Sequence, residues 1–345
     1  MRIVRPDAAW RENLWTALCR TGDRGGIVPA GSFDGQYVWH PAADDHRLAR
    51  ACIDVKAGRV LSAGDVLQES RGDYDLRAHR SLVLASEAAD SDLAERWLGE
   101  DPGPESTLLW ARVAMVRALR AADAGDPRTG LLADIAETAC DRAARMLPDD
   151  PTPWVARLAL APIRRPLDPA PRGLLTAPPG PWRLLTRTLG LDPWNREAHH
   201  RFLAFFFGRN GGTASARWDV VTFLSHRAPA SSPLRLLPFV ALAEEHDPRS
   251  LLGYRAWHRP QWVTVADGSY SDWFPSVAGY RFTPVLDLSY LAHALHLAGR
   301  PRQAGEVLKA MGPYAARMPW SVFGPPGEQL TRARRSCGLP VPASH

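Results

Sequence analysis

Residues 57–67 read AGRVLSAGDVL, and residues 298–308 read AGRPRQAGEVL. Ala57, Gly58, Arg59, Ala63, Gly64, Val66 and Leu67 match Ala298, Gly299, Arg300, Ala304, Gly305, Val307 and Leu308 without a gap. Each copy follows an apolar helical pattern: Leu48, Cys52 and Val55 before the first, Leu288, Leu291 and Leu295 before the second. A glycine at that point ends a helix, because the next turn needs positive φ. The small residues that follow let two helices approach closely, and the Val-Leu pair supplies a buried face. The pattern predicts a helix–turn–helix unit used at both ends of the chain.

Between the copies the sequence reads as more helices of similar size. Helical spacing predicts them over 76–87, 92–98, 106–122, 131–147, 152–161, 182–189, 194–207, 217–227 and 233–245, with others at 7–20 and 249–258. Asp-Pro pairs at 101, 126, 150, 168, 192 and 247 read mostly as helix starts, since aspartate caps and proline suits the first turn. Residues 27–28 and 37–39 read as short strands or as an ordered loop. The expected fold is all-α, an array of antiparallel helix pairs (an alpha solenoid) in two lobes. The expected divisions are an N-terminal helix and turn-rich segment (1–45), a first lobe (46–161), a Pro-rich connection (162–181), a second lobe (182–312) and a tail (313–345). Residues 259–282, with Trp262, Tyr270, Trp273, Phe274, Tyr280 and Phe282 among turn formers, read as an aromatic loop. It either packs on the array or lines a ligand surface.

The repeated turn resembles that of tetratricopeptide-type repeats, in which small residues sit at the helix crossing. The likeness covers the turn and second helix of each copy; the Trp, Leu-Gly and Tyr of the full pattern are missing. PDDPTPW at 148–154, LDPWNREAHHR at 191–201 and MPW at 318–320 add a likeness to TPR-like proteins of bacteria with G+C-rich genomes. In such superhelices the first helix of each pair lines a concave groove. This resemblance makes Tyr290, His293 and His296 candidates to face a ligand.

With 345 residues, 45% hydrophobic and 23% charged, the chain can bury a sizeable core. The net charge of +5 is spread among both signs, with an arginine excess after residue 300. Cys19, Cys52, Cys140 and Cys337 stand far apart, which fits neither a zinc framework nor a disulfide framework. No leader or membrane-length apolar run is read, so the expectation is a cytoplasmic protein. Phosphate-binding glycine loops and a nucleophile elbow are absent.

The densest stretch is LDPWNREAHHRFLAFFF at 191–207. Glu197 and His200 form one E-x-x-H, but a di-iron bundle needs two. Glu197 also pairs with Arg201 at helical spacing, an arrangement expected on a solvated face. Asp192 and Pro193 read as the helix start. The sequence therefore predicts no metal, no cofactor and no catalytic residue. The leading expectation is a non-catalytic helical-repeat scaffold for a peptide or protein partner. The alternative is an enzyme or small-ligand-binding protein with a polar, aromatic-lined pocket between the lobes, formed by Trp194, Asn195, Arg196, His200, Trp273, Tyr290, His293 and His296. Nucleic-acid binding through the basic tail (Arg332, Arg334 and Arg335) ranks third.

Overall fold

A computed structural model describes residues 36–171, 177–246 and 255–342. The helix expected at 7–20, the strand expected at 27–28, the Asp-Pro pair at 247 and most of the helix expected at 249–258 lie outside the described residues. Among those residues the fold is all-α, with two isolated bridges and no strand. One bridge joins Val38 to Tyr314 and the other joins Asp168 to Gly180. No helix among them is long and apolar enough to cross a membrane.

The helices are α1 (His46–Lys56), α2 (Leu61–Glu69), α3 (Tyr74–Ala88), α4 (Leu93–Glu100), α5 (Pro104–Ala124), α6 (Thr129–Met146) and α7 (Thr152–Arg164). There follow α8 (Trp182–Leu189), α9 (Arg196–Phe205), α10 (Ala214–Arg227), α11 (Leu237–Glu245), α12 (Pro260–Asp272), α13 (Val285–Leu297), α14 (Pro301–Met311) and α15 (Pro326–Ser336). Alternate helices also meet: α1 touches α3, α3 touches α5, α5 touches α7, and α7 touches α9. Two apolar cores result. One runs from Ala42 to Leu160, the other includes Tyr37 and runs from Val155 to Ala333. Helix α7 faces both, giving Ala156, Ala159 and Leu160 to the first and Val155, Leu158 and Ala161 to the second.

The two sequence copies close their helices in the same way. Gly58 and Gly299 have φ of 78° and 71°. Arg59 N–H donates to the Asp54 carbonyl and Arg300 N–H to the Leu295 carbonyl, each at 2.9 Å. This six-to-one bond satisfies a carbonyl that the ending helix leaves orphaned. The following glycine serves a purpose other than bringing paired backbones together. A Cβ at Gly64 would lie 3.4 Å from the Trp97 ring, and one at Gly305 would lie 3.3 Å from Cys337 Cβ. Gly64 thus admits a side chain from a third helix, α4, and Gly305 admits the residue that caps the end of α15. Replacing Gly58 or Gly299 with alanine forces an L-residue into the left-handed region, so each variant should lose about 1–2 kcal/mol in equilibrium denaturation.

Two local expectations are corrected, and the tail proves to be packed. Residues 260–272 are helical, because Trp262, Ala266, Ser269 and Trp273 fall at helical spacing and Pro260 occupies the first turn. Only residues 274–279 form a short 3₁₀ turn there. Helix α9 starts at Arg196, capped by Asn195, whose side-chain oxygen accepts from Ala198 N–H at 2.9 Å. Asp192 and Pro193 belong to the turn before it. The tail is docked: Thr331 on α15 meets the Tyr37 hydroxyl at 3.0 Å, and the buried Arg334 donates to the carbonyls of Leu308, Gly312 and Pro340.

Candidate functional site

Helix α9 carries a charge on each side of its first turn, and both charges reach across the fold. Arg196 donates to Asp287 of α13 through Nε at 2.7 Å and Nη2 at 2.6 Å, a bidentate pair. Its backbone N–H donates to Asp75 Oδ1 of α3 at 3.2 Å. Glu197 accepts from Arg112 Nη2 of α5 at 2.6 Å, and from Arg201 Nε at 2.9 Å. Arg112 is fully enclosed (0% exposed) and also donates to the Ala78 carbonyl at 3.0 Å. The expectation that Glu197 and Arg201 solvate an outer face is therefore corrected: Arg201 is buried and Glu197 is nearly so. The arginine on α5 supplies the second cation that makes this burial possible.

Asp75 and His79 share a face of α3 at i,i+4, and Arg196 and His200 share a face of α9 at the same spacing. Asp75 is exposed to solvent. Neighbouring protein atoms hinder its solvation and push its carboxyl up to about 6; the nearby Asp192 and Asp287 also raise it, against Arg196. Asp75, His79 and His200 all lie within reach of the Arg196 charge, so the two helix faces bring one cluster of titratable groups together. His79 Nε2 faces the Pro41 carbonyl at 3.1 Å, a contact that requires the proton on Nε2 and leaves Nδ1 an acceptor. Burial lowers the pKa of His79 and lowers that of His200 well below the usual range, with Arg196 adding to both. His200 Nδ1 is buried without a hydrogen-bond partner.

The predicted site residues divide into three groups. Arg196 and His200 belong to this cluster, and Tyr290 is buried within reach of the charges of Arg196 and Asp287. Asn195 is a helix cap, while Trp194 is 43% exposed and stacks on His199 with ring centroids 6.3 Å apart. Trp273, His293 and His296 lie elsewhere. Trp273 is enclosed and donates Nε1–H to the Tyr280 hydroxyl at 3.0 Å. His296 Nδ1 lies 3.2 Å from the Ser336 hydroxyl. His293 is ringed by Trp257, Trp320 and Phe323 at 4.7, 5.0 and 5.5 Å between centroids. The expectation that Tyr290 and His293 face an open groove is thus corrected, because α13 is buried on nearly all sides.

Sequence reasoning missed Asp75, His79, Arg112 and Asp287. Arg112 carried a usable signal, since it interrupts the apolar run LLWARVAMV at 108–116. It also missed a second cluster. His40, Cys52 and Glu87 bring their ligand atoms within 4.8 Å of one another. Cys52 comes from α1, Glu87 from the end of α3, and His40 from the segment preceding α1. Burial, with the Glu87 charge, pushes the Cys52 thiol up to about 12.

No protein-family model matches the chain, and no curated protein and no solved structure matches it either.

Proposed function

We propose that the chain is a small-ligand-binding protein whose ligand binds at the cluster of Asp75, His79, Arg196 and His200 where α3 meets α9. One observation carries this reading. The exposed Asp75 accepts from the Arg196 N–H at 3.2 Å with its carboxyl pushed up to about 6, while two neutral imidazoles, one with a buried unpartnered Nδ1, occupy the same two helix faces. Groups with shifted proton affinity concentrate where ligands and substrates are handled. Asp287 engages Nε and Nη2 of Arg196, and Asp75 offers an exposed carboxyl that accepts hydrogen bonds. That favours a small ligand rich in donors, an amine or a polyol. Asp75 can exchange a proton with such a ligand near neutral pH, which is the requirement for general acid–base chemistry.

The contacts between alternate helices support reading α1, α3, α5, α7 and α9 as one layer of a TPR-like array. In that arrangement the Asp75–Arg196 cluster belongs to the layer that such arrays use for recognition. The peptide-scaffold reading has less support, because Tyr290 and His293, expected to face a partner, are enclosed.

The test is a thermal-shift screen of amines, polyols and sugars at neutral pH on the wild-type chain and Asp75→Asn. Compounds that raise the wild-type melting temperature and leave Asp75→Asn unmoved support the proposal. No shift with any compound, or equal shifts in both proteins, overturns it. Asp75→Asn has a second expected effect. Asp75 binds its proton more tightly in the folded chain, so it costs stability as pH rises from about 4 through 6, and the cost is complete above 6. The variant should therefore melt higher than wild type at pH 7.5 and equally at pH 4, as measured by circular dichroism.

A further inference from the structure

We propose that His40, Cys52 and Glu87 form a binding site for a zinc-class divalent cation, held by one nitrogen, one sulfur and one oxygen. Each residue offers a ligand of the type such ions prefer, and the three atoms lie within 4.8 Å of one another. Around a tetrahedral ion with bonds of about 2.0–2.3 Å, ligand atoms stand roughly 3.3–3.8 Å apart. Closing the remaining gap of about 1 Å takes only small side-chain rotations, because the His40 side chain is 37% exposed and free on one side.

The second observation is the state of Glu87. Its side chain is 2% exposed, yet Oε1 has no hydrogen-bond partner. A buried carboxylate oxygen left without a partner is costly. Oε1 lies 3.9 Å from His40 Nε2, within the same cluster as the Cys52 sulfur. The other oxygen, Oε2, is held by Lys56 Nζ at 3.0 Å. Lys56 cannot complete the site, but its side chain is 53% exposed and can swing into water when a cation neutralises Glu87. A simple Glu87–Lys56 ion pair accounts for one oxygen, and leaves unexplained why a thiol and an imidazole converge on the other.

Coordination forms bonds from the metal to sulfur, nitrogen and oxygen, and the Cys52 thiol proton leaves to solvent. Three protein ligands with a partly exposed histidine leave the fourth position to water, the open kind of site rather than the closed structural kind. His40 Nδ1 accepts from the Ala42 N–H at 3.2 Å. Binding through Nε2 moves the ring proton to Nδ1, so the Ala42 contact must be exchanged.

The experiment uses the full chain, stripped of metal by chelation and titrated with Co²⁺ as a spectroscopic stand-in for zinc. The expected result is one equivalent bound, with a sulfur-to-metal charge-transfer band and the visible bands of a four-coordinate ion. Zn²⁺ should bleach these bands, and the Ala42 amide resonance should move. Cys52→Ser should abolish the charge-transfer band. Glu87→Gln and His40→Ala should weaken binding on the order of 100-fold or more. Cys19→Ser and Cys337→Ser should leave the spectrum unchanged. Absence of the band in the folded wild type overturns the proposal, as does a band that survives Cys52→Ser or disappears in a Cys19 or Cys337 variant. Should Cys52→Ser fail to fold, His40→Ala and the Ala42 resonance decide the matter. The readout does not involve Asp75, so its failure and that of the Asp75 ligand-site reading are separable.

Discussion

Glu197→Ala should destabilise the chain by about 3–5 kcal/mol, one of the two largest single effects expected. The carboxylate is the shared acceptor of Arg112 and Arg201, both of which are buried. Removing it leaves two guanidinium groups enclosed without their counter-charge, and Arg112 Nε already lacks a partner. Folded and charged, the site holds together because Arg112 and Arg201 pull the Glu197 pKa below its ordinary value despite burial. The check is chemical denaturation at pH 7.5. A triple replacement, Arg112→Met with Glu197→Leu and Arg201→Met, should recover most of the loss, since an apolar cluster needs no counter-charge. A loss below about 1 kcal/mol in Glu197→Ala would mean that water reaches the arginines freely.

The second large effect is acid destabilisation centred on His293. Burial among Trp257, Trp320 and Phe323 lowers its pKa to about 3, and the neighbouring His246 and His296 lower it further. An unfolded histidine titrates near 6.5. Above that pH neither state binds the proton, and the stability is fully present. As pH falls below 6.5 the unfolded chain takes up a proton that the folded chain refuses, so stability declines towards pH 3. The loss from this one group is on the order of 4 kcal/mol across that window. His200 and His199, both with lowered pKa values, add to the same slope. Urea denaturation of wild type and His293→Phe at pH 7.5, 5.5 and 4.5 measures it. The variant should show a visibly flatter dependence; identical slopes would remove His293 as the cause.

Local chemistry explains which parts of this fold were legible in the sequence. The two glycine turns were readable because positive φ is a property of the residue itself. Helices α5, α6, α8 and α10 were readable from their apolar spacing. Helix α12 was not, because Asp267, Gly268 and Ser269 imitate a turn within a sound helical stripe. The buried charges were misjudged for a different reason. An arginine on a helix looks solvated until a partner from a distant segment is known. Arg77 finds Asp150, Arg80 finds Asp45 and Glu69, and Arg196 finds Asp287. Long-range pairs of this kind leave no spacing rule to read. The same holds for His40, Cys52 and Glu87, which look ordinary one at a time.

For the 191–207 stretch, apparent surface residues become the central connection of the fold. Arg196 ties α9 to α13 and α3, and Glu197 ties it to α5. Buried ionic groups of this sort are seldom needed for stability alone. Their placement beside Asp75 and two neutral imidazoles supports a handling role for a ligand.

The measurement that tests this most directly is an NMR titration of the Asp75 side-chain carboxyl in the folded wild-type chain. Hindered solvation and the nearby Asp192 and Asp287 predict a midpoint near 6, moving when Arg196 is replaced by methionine. A midpoint close to 4, the value of a freely solvated aspartate, would contradict the perturbed Asp75 and with it the proposed site.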